Sequence, residues 1–314
     1  MKLGFIKSDF TNEQRVPLLP KDIKDFQNEL YIETGFGESL NIPDQAYRDK
    51  NVTVLNRKDI FKTCDGIFSL KLIQPNDYPL IRNGQIIIGW THPKGSGQSF
   101  MKNQAIPKEL IVVDLDNIKP TVFFKNHEYP LNSIPSNFIY QNSFYAGYAG
   151  TIHALISYGF FPDEQTKIAV LGSGNVSQGS FHAISKFSSN VRLFYRKTMP
   201  LFKEQLGEFD IIINGIEVGE NGRPIISKNE QKKLKNNCFI IDAAADAGNA
   251  IEGTHATNIE SPIYNENGHT FYVVPNTPSI AYRNISKIIS QQFSQHIYSK
   301  DISQFITITH TENN

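Results

Sequence analysis

Residues 167–198, KIAVLGSGNVSQGSFHAISKFSSNVRLFYRKT, leave this chain fewer choices of fold than any other stretch. Ile168–Leu171 is a short continuous apolar run, the pattern of a strand buried on both faces. Gly172-Ser173-Gly174 follows at once and opens a segment of helical spacing, after which NVRLF supplies a second strand. Gly172 permits the tight turn that this order demands. Gly174 lets the backbone leading into Asn175 and Val176 approach a pyrophosphate at the positive end of the helix. The third position of the usual GxGxxG spacing is Ser177, small enough for helix–strand contact but a weaker signal than glycine. Strand, GxG, helix and strand in this order point to a dinucleotide-binding unit.

The end of the second strand bears on which dinucleotide. An Asp or Glu there, about 20 residues after the loop, would hydrogen-bond a ribose 2′-hydroxyl. Here Tyr195, Arg196, Lys197 and Thr198 hold the place. No acid repels a 2′-phosphate, and two cations can pair with one, each such hydrogen bond contributing roughly 1.5–3 kcal/mol. The sequence therefore favours NADP(H) over the plainer reading of two solvated basic residues at a strand end.

Short runs rich in Ile, Val and Phe recur upstream: LGFI (3–6), LYIE (30–33), VTVL (52–55), GIFSL (66–70), QIIIGW (85–90) and LIVVDL (110–115). Each reads as a buried parallel strand, with polar, helix-compatible segments such as 20–29 and 43–50 between them. Residues 138–161 carry aromatics and small residues at helical spacing and predict a long connecting helix, in which Gly147 and Gly150 allow close packing. FDIIING and NCFIIDAAAD continue the second unit, and residues 263–274 predict a hairpin turning at Asn267-Gly268. Residues 278–298 place Ile285, Ile288, Ile289 and Phe293 on one helical stripe, as in a terminal helix that docks back onto the other domain. The expected fold class is α/β: two Rossmann-like parallel-sheet domains with a cleft between them. Residues 1–137 plus 279–314 would form a substrate domain and 138–278 the cofactor domain.

Composition narrows the function classes. Lys and Arg number 31 and so do Asp and Glu, so there is no bulk electrostatic reason to bind nucleic acid or an anionic membrane. No apolar run approaches the ~20 residues of a membrane helix, and the N-terminus lacks a signal-peptide core, so a cytoplasmic location is expected. Cys64 and Cys238 lie beside apolar runs and read as reduced, buried thiols. The eight histidines show no HxxxH spacing and no CxxC is present, so no metal site is expected. Small-molecule substrates are the natural partners; the sequence leaves a homo-oligomer possible.

Hydride transfer to a carbonyl or imine carbon asks for a cation on the substrate carboxylate, a proton donor at the accepting atom, and exclusion of water. Candidates stand at the ends of the predicted strands, where α/β sheets hold ligands. Arg15 follows the first strand. Lys71 ends GIFSLK, where a buried ammonium is costly unless paired or used. His92 follows QIIIGWT and has the pKa range for proton transfer. Asp246, in IIDAAADAG, lies just past a strand of the second unit, with Asp242 the competing choice.

Taken together, RVPLLP, LKLIQP, WTHP, GSGNVSQG, DAAADAG and VVPNTPS resemble the family of alanine dehydrogenase, transhydrogenase and fungal saccharopine dehydrogenase, in the same order along the chain. Residues 68–97 and LIVVDLDNIKPT are similar to the carboxyethylornithine synthase branch, which joins pyruvate to the side-chain amine of ornithine or lysine with NADPH. The resemblance implies roles. Arg15 would grip the keto-acid carboxylate and Lys71 would stand beside the keto oxygen. His92 would act as acid and base, with Asp246 near the nicotinamide and Asn276 closing its pocket. DAAADAG departs from the family's more usual DQGG, which loosens the match at Asp246. An alanine- or saccharopine-dehydrogenase-like enzyme, or an NADP(H)-binding protein without turnover, would share much of this pattern.

Overall fold

The computed structural model describes residues 1–116 and 118–310. They form two compact units, Met1–Ile139 with the chain from Ser286 onward, and Tyr140–Ile285.

The first unit is built on an eight-stranded sheet of order β3-β2-β1-β4-β5-β6-β7-β8. The strands are β1 (Lys2–Ile6), β2 (Glu29–Glu33), β3 (Thr53–Leu55), β4 (Gly66–Lys71), β5 (Ile86–Trp90), β6 (Ile111–Asp114), β7 (Thr121–Phe124) and β8 (His127–Pro130). The first six run parallel and the last two turn back antiparallel. Short helices α1 (Asp44–Arg48), α2 (Arg57–Thr63) and α3 (Gln98–Phe100) connect them. The apolar runs are continuous because the central strands are covered on both sides: β5 is buried at every residue. The closing hairpin is not among the expected strands, since β8 buries only Tyr129 and carries no apolar run. Residues 20–29 do not form the helix their composition allows. A single 3₁₀ turn, Pro20–Asp22, forms instead. Leu19 N donates to Ser290 Oγ and Asn28 Nδ2 to the Lys300 carbonyl, so the C-terminal segment ties down both ends of this stretch.

The second unit opens with α4 (Tyr140–Tyr158) and carries a six-stranded sheet of order β10-β9-β11-β12-β16-β15. Its strands are β9 (Ile168–Leu171), β10 (Val191–Phe194), β11 (Ile211–Asn214), β12 (Phe239–Asp242), β15 (Ile263–Glu266) and β16 (His269–Tyr272), with a two-residue pair, β13 (Ala247–Gly248) and β14 (Ile251–Glu252), beside them. Only β15 is antiparallel in the main sheet. It meets β16 through Asn267 and Gly268, both at positive φ, as a tight hairpin turn requires. Helices α5 (Asn175–Ile184), α6 (Met199–Glu204) and α7 (Lys228–Gln231) complete the unit. Helices α4 and α5 cross at backbone contact. A Cβ on Gly147 would lie 1.8 Å from the Val176 carbonyl, and one on Gly179 would lie 1.8 Å from that of Phe144.

Helix α8 (Tyr282–Phe293) spans the boundary between the units and leads to α9 (Ser303–His310). Ile285, Ile289 and Phe293 are fully buried on its apolar stripe. Phe293 packs against Phe68 and Trp90 of the first sheet. Cys64 and Cys238 are buried free thiols, each pushed up to about 12 by burial, and neither is poised to react.

Candidate active site

The glycine loop after β9 is shaped by what it lacks. Gly172 has φ +104, and a Cβ there would lie 2.4 Å from Ser177 Oγ. Ser177 itself is fully buried and donates to the Leu171 carbonyl at 2.9 Å, fastening the first turn of α5 to the end of β9. The residue that weakened the sequence motif is therefore a built part of the loop, and Gly215 is cut back to make room for it. Gly174 differs: a Cβ there would meet nothing within 4 Å. Protein packing does not require glycine at this position. Space beside a helix N-terminus that no side chain caps fits a phosphate group.

At the end of β10, Thr198 Oγ1 accepts from Tyr195 N at 3.0 Å and closes a turn that displays Arg196 and Lys197 to solvent. Neither cation has an ion partner among the described residues. The residues present thus fit a dinucleotide.

In the first unit, β4, β5 and β6 end side by side in Lys71, Trp90 and Asp114. Lys71 stands opposite Trp90 after a bulge at Ser69, where a Cβ on Gly89 would lie 1.8 Å from the Ser69 carbonyl. The Trp90 ring carries two cations, Arg15 Cζ at 4.8 Å and Lys71 Nζ at 5.1 Å from its centroid. Glu13 grips Arg15 through Nε at 2.7 Å and Nη2 at 2.5 Å, which fixes the plane of the guanidinium. Burial raises the Glu13 carboxyl, but Arg15 and then Lys71 outweigh it and hold it below its usual range. Burial, followed by repulsion from Arg15, brings the Lys71 ammonium down to about 8.

His92 has φ +45, a left-handed conformation held by its surroundings. Its backbone N and that of Thr91 both donate to Asp114 Oδ1, at 3.2 and 2.9 Å, while its carbonyl accepts from Gly95 and Gly97. The half-exposed ring presents Nδ1 at 3.2 Å from Asp116 Oδ2. The structure therefore gathers Arg15, Lys71 and His92 at the strand ends of one unit. It adds Glu13, Trp90, Asp114 and Asp116, which the sequence reading passed over. The signals were there: Glu13 two residues before Arg15, and Asp-Leu-Asp closing an apolar run.

The carboxylates of the second unit are differently placed. Asp242 ends β12 beside Asn214 of β11, which donates to its Oδ1 at 2.9 Å; Oδ2 is buried without a partner. Burial, and then Asp246, raises Asp242 to about 6 despite the Asn214 hydrogen bond. Both Asp246 oxygens are engaged. Oδ2 accepts from Val218 N and Gly219 N at 2.7 and 3.1 Å, and Oδ1 accepts from Asn249 Nδ2 at 2.8 Å. Asn276, at φ +59, heads the turn Thr277–Ala281, anchored by Thr277 Oγ1 donating to the Ala146 carbonyl.

Residues 5–122 match the model of the alanine dehydrogenase/PNT N-terminal domain, and residues 175–311 that of its C-terminal domain. The chain belongs to the alanine dehydrogenase/PNT family. Within it, the chain is 58% identical over 308 residues to an N(5)-(carboxyethyl)ornithine synthase of Lactococcus lactis subsp. lactis (strain IL1403), covering 98% of this chain and 99% of that one. A protein of the same name from Clostridium botulinum (strain Hall) is 55% identical, with 98% and 97% covered. Alanine dehydrogenase 1 of Staphylococcus aureus (strain Mu50) stands at 21%, over 93% and 85%. Among solved structures, an L-alanine dehydrogenase superposes with TM-score 0.77 at 18% identity, covering 95% of this chain and 89% of that one. A transhydrogenase from Sinorhizobium meliloti gives 0.73 at 19%, covering 94% and 92%. These two bear out the α/β family fold. Among the described residues no helix is long and apolar enough to cross a membrane, and no cluster of His, Cys, Asp or Glu could hold a metal ion.

Proposed function

We propose that this alanine dehydrogenase/PNT chain catalyses an NADPH-dependent reductive condensation of pyruvate with the side-chain amine of ornithine or lysine, forming with ornithine N5-(carboxyethyl)ornithine. The observation that carries the reading is the pair of cations, Arg15 and Lys71, seated on Trp90 at the strand ends of the first unit. Two relatives that share more than half of their residues with it, end to end, bear the name of such a synthase.

Arg15, its plane set by Glu13, binds the pyruvate carboxylate. Lys71 stands at the keto oxygen; with its pKa near 8 it is mostly protonated at neutral pH and can still give up that proton. The side-chain amine attacks the carbonyl carbon as the neutral base, and the addition product loses water to give an imine. His92, with Asp116 on Nδ1, hands a proton to the departing hydroxyl and takes one from the nitrogen. His92, protonated again by that exchange, returns the proton to the imine nitrogen, and NADPH when bound would supply the hydride to the carbon, which together give the secondary amine. Gly172 to Val176 would receive its pyrophosphate, and Arg196 and Lys197 would pair with its 2′-phosphate. Asn276 borders the nicotinamide, while Asp246 acts through the Val218–Gly219 loop that it holds.

NADPH oxidation tests this directly. Turnover should require pyruvate and ornithine together, with lysine compared as donor. Turnover with pyruvate and ammonia alone would make the chain an alanine dehydrogenase, and preference for 2-oxoglutarate with lysine a saccharopine-forming enzyme. NADPH binding without any turnover would leave a non-catalytic cofactor-binding protein.

A further inference from the structure

Beside Arg15, on the carboxyl ends of β1 and β2, lies a cavity of about 400 Å³ within the first unit. Its walls include Lys7, Asp9, Glu13, Arg15, Gly35 and Glu38. Most of these charges are already matched. Glu13 is paired with Arg15, and Asp9 with Arg57, which also holds Glu33 and Asp77. Among the described residues the exceptions are Lys7 and Glu38, whose side chains make neither an ion pair nor a hydrogen bond.

Their placement is specific. A Cβ on Gly35 would lie 3.2 Å from Glu38 Oε2 and 3.4 Å from Lys7 Nζ, so the two groups are at most about 6.6 Å apart. They are nonetheless beyond the 4.0 Å of an ion pair. An ammonium and a carboxylate that face one space and do not touch suit a ligand carrying both opposite charges on one carbon. Charge-assisted hydrogen bonds of about 2.7–2.9 Å from both groups can converge on such a head group seated at the mouth of this gap rather than in line within it. Gly35, at φ +73, leaves the space between them open.

We propose that this cavity binds the zwitterionic α-amino-acid head of the diamino acid, with Lys7 on its α-carboxylate and Glu38 on its α-ammonium. The inference rests on the reaction proposed above and assigns its second substrate a place. The shared wall, Glu13 and Arg15, then separates two recognition tasks: Arg15 holds the keto acid, and the cavity holds the amine donor by the end that does not react. Discrimination follows from this arrangement. A diamine without the carboxylate loses Lys7, and an ω-amino acid without the α-ammonium loses Glu38.

The test uses the full-length protein with saturating pyruvate and NADPH, and compares ornithine, 1,4-diaminobutane and 5-aminopentanoate as donors. Wild-type protein should prefer ornithine to both. Lys7→Met and Glu38→Gln should each raise the KM for ornithine roughly tenfold, the loss of one charge-assisted contact, with the KM values for pyruvate and NADPH within about twofold of wild type. Lys7→Met should lose its discrimination against 1,4-diaminobutane alone, and Glu38→Gln against 5-aminopentanoate alone. Normal turnover with an unchanged ornithine KM in both variants would overturn the cavity assignment and leave the reaction standing. Wild-type protein that binds NADPH but turns over none of the donors would overturn both.

Discussion

At the carboxyl ends of its central strands the first unit places Lys71, Trp90 and Asp114, whereas the second places Leu171, Asn214 and Asp242. Both sheets are mainly parallel and both offer those ends to a ligand. In the first unit the proposed substrate site is made of ionisable side chains: Arg15 and Lys71 both lie over the Trp90 ring, and Glu13 balances them. In the second the proposed pyrophosphate cradle is made of backbone and missing atoms, at Gly172, Gly174 and Gly215, with charge confined to Arg196 and Lys197 at the end of β10. The first-unit cluster should therefore answer to changes of charge, and the glycine loop of the second to changes of volume.

The sharpest way to break this contrast is to remove the central cation. Arg15→Ala should raise the KM for pyruvate at least ~100-fold, about 2.8 kcal/mol, with the KM for NADPH nearly unchanged. It should also destabilise the first unit by about 3 kcal/mol in urea, because Glu13 is left buried without its partner. Equal losses for both substrates would sink the assignment.

A smaller effect is expected at Asp242, a carboxylate that the second unit buries completely. Burial lifts its pKa to about 6, well above the usual carboxylate range, so protonation favours the folded state. Its stabilising contribution is complete below about pH 4 and is lost as the pH rises through 6. Asp242→Asn should thus gain up to about 2 kcal/mol at pH 8 and little at pH 4, measured by denaturant unfolding at the two pH values. A gain that does not depend on pH would show that burial of charge is not the cause.

The smallest and most selective change is Gly174→Ala. The space around a Cβ there is empty, so the melting temperature should not move, while NADPH should bind about tenfold more weakly by calorimetry. Gly172→Ala, strained at φ +104 and against Ser177, should lower the melting temperature as well. Were the two variants alike, the loop would be a packing device rather than a phosphate cradle.

How much of this was legible follows the same division. The β9 loop could be read because strand, turn and helix are local and glycine positions are visible in one dimension. The Asn267-Gly268 hairpin could be read for the same reason, since both positions need positive φ. The first-unit cluster was only half visible. Arg15, Lys71 and His92 stand at the ends of recognisable runs. Glu13 beside Arg15 was a local signal passed over, whereas the support that Trp90 gives both cations depends on folding across the sheet. Residues 20–29 failed as a helix on the same ground: their partners, Ser290 and Lys300, lie more than 250 positions away in sequence.

Those distant partners also decide when the substrate anchor can exist. Val16 N donates to Ser286 Oγ at 2.8 Å, and the Pro17 carbonyl accepts from the Tyr298 hydroxyl at 3.3 Å, so the residues next to Arg15 take their places from the far side of the second unit's sequence. Every residue of Tyr140–Ile285 is made before any of these partners, whereas Arg15, made far earlier, waits for them. A message cut short before Ser286 would yield a chain with every residue of the second unit and an arginine loop that has lost Ser286 and Tyr298, its anchors.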